Sequence, residues 1–190
     1  MQTSGSARMD DRRPGIRPRP TFGRRLDIAA RWSFPFAATV LLMLFSAAPL
    51  GVPGQAMLLP AVSLCCVYFW SVFRPASMIP PQVFVIGLLL DLLGYLPIGL
   101  GVLMLLTVHG LAVQSRRFLI RHGFALVWTV FAVIALAAGV LVWALSSLLT
   151  LRLLPIAPAL FQAVLTMALY PALATLFALA HTTIADPERA

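Results

Sequence analysis

Six apolar runs follow one another along most of this chain, at roughly 33–50, 56–73, 79–94, 97–114, 123–149 and 159–181. Each lies near the ~20 residues that an α-helix needs to cross ~30 Å of hydrocarbon. A soluble fold of 190 residues has too little interior to hide a chain that is 61% hydrophobic and only 11% charged. Inside lipid the backbone must satisfy its own hydrogen bonds, so such runs become helices. The sequence therefore predicts an all-α, polytopic transmembrane bundle. Its expected divisions are a disordered basic tail at 1–31, a six-span membrane domain at 32–182 and a short tail at 183–190. The loops left over are too short for a folded catalytic domain outside the membrane.

Charge placement supplies the expected orientation. All 14 basic residues are arginines, which suggests a GC-rich, bacterial coding sequence. Eight of them, including Arg24, Arg25 and Arg31, precede the first run. Cytoplasmic loops carry the excess of basic residues. With six spans and the N-terminus inside, Arg152 alone lies outside, a split of 13 to 1. If 79–114 crossed only once, the split would fall to 10 to 4. The sequence thus predicts six crossings of a bacterial inner membrane, with both termini cytoplasmic. Arg24, Arg25, Arg31, Arg116, Arg117 and Arg121 are expected to anchor the chain at the membrane surface. The basic tail is Pro- and Gly-rich and without periodicity, so it is expected to be disordered. A basic n-region ahead of an apolar run resembles a signal peptide. Here the n-region is too long, and Pro49 follows Ala47-Ala48, so cleavage is not expected.

The ends of the runs hold most of the remaining information. The second closes on Tyr68-Phe69-Trp70 and Phe73, expected to form an interfacial aromatic belt ahead of Arg74-Pro75. Pro75 should stop that helix. The third contains Asp91 and must be short, with a tight turn at Gly94 to Pro97. Pro97 is placed to open the next helix. Ala135 and Gly139, Ala168 and Ala172, and Ala174 and Ala178 form small-xxx-small pairs, suited to close helix packing.

Chemistry-bearing groups inside the runs are few. A carboxylate is costly in lipid and needs a partner. Asp91 has two readings: a contact with a partner helix or ligand, or a local role, as a cap on backbone N–H groups near Gly94 to Pro97 or as a group high enough to reach interfacial water. His109 is expected to be a satisfied bundle histidine. Cys65 and Cys66 are adjacent, which suits neither a disulfide framework nor a metal site. Metal-ligand spacing, paired carboxylates and a Gly-rich phosphate loop are all missing from the sequence. The chain is expected to be neither an enzyme nor a cofactor carrier, and no nucleic-acid role is expected.

Three segments carry a family resemblance. They are Tyr68 to Pro75, then Phe84 to Gly94 with its Gly87-Leu-Leu-Leu-Asp91 core, then Leu96-Pro97-Ile98-Gly99-Leu100. Together they resemble the rod shape-determining protein MreD family. The resemblance implies a non-enzymatic subunit of the machinery that elongates lateral-wall peptidoglycan. Its partners would be the bitopic scaffold MreC, the actin-like MreB, the polymerase RodA and a penicillin-binding transpeptidase. The resemblance also implies a bundle similar to the substrate-binding subunits of energy-coupling-factor transporters. It makes Arg74, Pro75, Gly87, Asp91, Gly94, Pro97 and Gly99 the candidate partner- or turn-stabilising residues. A small solute-binding subunit, as in vitamin uptake, is the alternative. Asp91, His109, Gln114 and Gln162 are sparse and lie at different depths, which disfavours a polar solute site.

Overall fold

The computed structural model describes the backbone at 22–48, 54–94, 97–121 and 123–185, and side chains from Ser33 to Leu179 within those ranges. Six α-helices run in chain order: α1 Phe22–Ala47, α2 Leu58–Phe73, α3 Pro80–Leu93, α4 Leu100–Leu119, α5 Phe124–Thr150 and α6 Ala157–Ala185. Two 3₁₀ turns, Gln55–Met57 and Pro75–Ser77, bracket α2. No strand occurs among the described residues. Three segments are long and apolar enough to cross a membrane: Gln55–Phe73, Phe124–Thr150 and Ala157–Leu179. The apolar part of α1, Ser33–Ala47, and the whole of α3 are shorter.

α2 is the axis of the molecule. Thirteen of its 16 residues are buried, from Leu59 to Val72. It packs on α3, α4 and α6, while α3 pairs with α4 and α5 with α6. The contacts fix the directions. Met57 meets Gln162, and Cys65 meets Thr166, so α2 and α6 run parallel. Val72 meets Arg116 at the ends of α2 and α4, so these also run parallel. Tyr68 meets Val127 near the start of α5, which runs the opposite way. Arg74 and Arg116 therefore lie at one end of the bundle and Arg152 at the other.

The expected aromatic belt is instead a core. Tyr68 is fully buried, and Phe69 and Trp70 nearly so; of the four aromatics only Phe73 is exposed. The reason is position: α2 is walled in on several sides, so its aromatics meet neighbouring helices and not the membrane surface. Tyr68 and Tyr170 both pack on Phe131, at ring separations of 4.9 and 4.2 Å. Phe34 of α1 meets Trp70 edge-on at 5.9 Å. Such aromatic pairs add stabilisation beyond their buried area. Cys65 and Cys66 are fully buried within the same helix.

Two boundaries differ from the sequence reading. α1 begins at Phe22, inside the segment expected to be disordered. Leu, Ala and Arg are strong helix formers. A helix already nucleated by the apolar run extends into them at little cost. Residues 1–21, the larger part of that expected tail, lie outside the described residues, as do 186–190 of the C-terminal tail. α4 begins at Leu100 and not at Pro97. Gly99 has φ +100°, a left-handed conformation that separates Pro97 from the helix.

Candidate functional site

The α3–α4 hairpin gathers most of the candidate residues into one node. Gln82 holds the start of α3, where its Oε1 accepts from the Ile79 N–H at 3.2 Å. The helix ends at Gly94, whose N–H donates to Leu90 O at 2.8 Å. Asp91 sits one turn from that end and is only 4% exposed. Its Oδ2 accepts from the Gly99 N–H at 2.7 Å, and from the Val102 N–H at 3.4 Å. Its Oδ1 accepts from the Gly101 N–H at 2.7 Å. The first N–H groups of any helix lack partners within it. A carboxylate there satisfies them and meets the positive end of the helix dipole. The local reading of Asp91 is thus the observed one. The cap falls on Gly99 to Val102, just beyond the turn residues expected to receive it.

Glycine makes this approach possible at two points. A Cβ on Gly87 would lie 2.5 Å from Val102 Cα, so any side chain there would force the helices apart. A Cβ on Gly101 would occupy the space taken by Asp91 Oδ1. The importance of Gly101 was not foreseen. The signal was present in the Gly99-x-Gly101 spacing immediately after Pro97. Pro97 contributes its carbonyl, which accepts from the Leu100 N–H at 3.1 Å. Tyr95 and Leu96 lie outside the described residues.

Arg74 and Pro75 belong to a different place, the far end of α2. The Arg74 N–H donates to Trp70 O at 2.7 Å, and Pro75 opens the next 3₁₀ turn. Pro75 thus ends α2 as the sequence predicts. Arg116 was expected to be a surface anchor. It is half-buried, and its Nε donates to Val72 O at 2.8 Å, at the C-terminus of α2. A cation at a helix C-terminus is favoured by both the free carbonyls and the dipole. Arg117 and Arg121 are exposed. The side chains of Arg24, Arg25 and Arg31 lie outside the described residues.

His109 is 7% exposed, and its Nδ1 is 2.7 Å from Ser71 Oγ. The Ser71 hydroxyl donates to Val67 O at 2.5 Å, so it receives its second bond from the His109 ring. With the hydroxyl proton directed to Val67, the Nδ1–H is the donor of that contact. His109 is the satisfied bundle histidine that the sequence predicts, and it joins α4 to α2.

A cavity of about 510 Å³ lies between α2, α4, α5 and α6 at the Arg152 end. Gly94 and Leu90 reach it from α3, so the Asp91 node forms part of its surroundings. Its walls are mostly apolar. Gly139 packs on α6, where a Cβ would stand 3.5 Å from Ala159 O, so the Ala135-Gly139 pair serves packing within the chain. Comparison with protein-family models, with curated proteins and with solved structures finds no match.

Proposed function

We propose that this chain is a non-enzymatic integral membrane subunit of the bacterial cell-wall elongation machinery, similar to the MreD family. One observation supports the reading above the others. Gly87, Asp91, Pro97 and Gly99, which carry the resemblance in sequence, sit together in a single interlocked hairpin. In this reading the chain has no reaction to perform. It offers stiff helix faces to the bitopic scaffold MreC, and through it to MreB, RodA and a penicillin-binding transpeptidase. Similarity to energy-coupling-factor substrate-binding subunits belongs to the same proposal.

The proposal includes six crossings of the inner membrane, with both termini cytoplasmic. The alternating helix directions support it, as does the placement of Arg74 and Arg116 opposite Arg152. α3 is the demanding span, because its 14 residues give only about 21 Å of helix. Exposed Ile79 and Ile98 extend its apolar length at either end, and a short span is accommodated by local thinning of the bilayer. The alternative, a solute-binding subunit, is favoured only by the cavity, whose walls offer few polar groups.

Complementation provides the test. Expression in a rod-shaped bacterium depleted of its own subunit should restore rods, and the tagged chain should co-purify with the scaffold. Round cells, together with co-purification of an ATPase module, would overturn the proposal in favour of the transport reading.

A further inference from the structure

The cavity at the Arg152 end is a stripe and not a bowl. On α5 it is lined by Ala135, Gly139, Val142, Trp143 and Ser146. These positions share one helix face over three turns. At ~1.5 Å per residue they span about 16 Å, roughly half of a bilayer's hydrocarbon core. Ala159 and Ala163 of α6 pack beside Gly139, and Pro60 and Leu64 of α2 with Met104 of α4 line the rest. At the mouth, Met57 is 36% exposed and Leu154 38% exposed, so the stripe opens to the surroundings.

The polar groups along the stripe are few, and three of them are already committed. Trp143 Nε1 donates to Leu154 O at 2.9 Å. Gln162 Nε2 donates to Met57 O at 2.9 Å. The Thr166 hydroxyl donates to Gln162 O at 2.7 Å. A polar solute would therefore be desolvated without finding the donors it lost in water. Water would fare no better, since it needs two to four polar partners to remain in a cavity. An apolar occupant loses nothing, and in a bilayer such occupants surround the protein.

We propose that this cavity holds one hydrocarbon chain of a membrane phospholipid, drawn in through the mouth near Met57 and Leu154. The inference does not depend on the cell-wall reading. The mostly apolar lining, with few polar groups left to serve a solute, selects hydrocarbon.

Photolabelling of the full chain tests it. The protein would be reconstituted into vesicles containing phosphatidylethanolamine with a diazirine on one acyl chain, irradiated and mapped by peptide mass spectrometry. Labelling of Gly139, Val142 and Trp143 is expected in addition to that of outward-facing Val133 and Val140, which meet the surrounding lipid. Ala135→Phe fills the stripe and should abolish the inward label while leaving the outward label unchanged. Should that variant fail to accumulate, the mapping of the unaltered protein still decides. Label confined to Val133 and Val140 would overturn the proposal. Loss of the inward label on adding riboflavin, but not on adding unlabelled phospholipid, would also overturn it and assign the cavity to a polar solute.

Discussion

Replacing Asp91 by Asn leaves one carbonyl oxygen to serve the N–H groups of Gly99 and Gly101, and sets an NH₂ group against the other. The helix dipole also loses its counter-charge. Asp91→Asn is expected to cost about 1 kcal/mol, and Asp91→Leu, which strands both donors, about 3 kcal/mol. Unfolding of the detergent-solubilised protein would measure both, and equal losses would show that the charge matters more than the acceptors. Tyr170 offers the opposite sign. Its hydroxyl is buried without a hydrogen-bond partner among the described residues, while its ring stacks on Phe131 at 4.2 Å. Tyr170→Phe keeps the stack and removes a desolvated group, so stability should be unchanged or higher by about 1 kcal/mol; a clear loss would reveal a partner for that hydroxyl. Sequence reasoning found Asp91 because a carboxylate in an apolar run demands an explanation. It could not choose among that residue's partners. Gly101 and Arg116 were legible only as a spacing and a charge, and their partners Asp91 and Val72 lie 10 and 44 residues away.

At the scale of elements, polar contacts help to join α2 to α4 across a largely apolar interface. One is Ser71 to His109 in the interior, and another is Arg116 to the last turn of α2. Removing one member of a buried pair leaves the other unsatisfied, at about 1–3 kcal/mol, whereas removing both can be nearly neutral. Ser71→Ala and His109→Leu are each expected to destabilise, and the double variant should lose less than their sum. Additive losses in a double-mutant cycle would mean that the two side chains do not depend on each other. Helix existence was legible here because each apolar run is long and bounded by Arg, Pro or Gly. Helix environment was not. The cluster from Tyr68 to Trp70 reads as a membrane-surface belt by composition, and becomes core only because α4 and α6 close over α2. The early start of α1 was missed for a related reason: helix propensity without amphipathic periodicity leaves little trace in a sequence.

In the whole molecule, an apolar helical bundle turns back on itself at the Asp91 node, so that α3 and α4 run in opposite directions. The proposed six crossings and the 13-to-1 arginine split both depend on that reversal. Sided cysteine labelling tests it most directly. Ile98 is 78% exposed beside the node, and Ile120 is 53% exposed at the other end of α4. The native Cys65 and Cys66 are fully buried and should give little background. With a membrane-impermeant maleimide applied to intact cells, Ile98→Cys should react from outside, and Ile120→Cys only after the membrane is opened. Both positions reacting from the same side would contradict the reversal, and with it the six-crossing account.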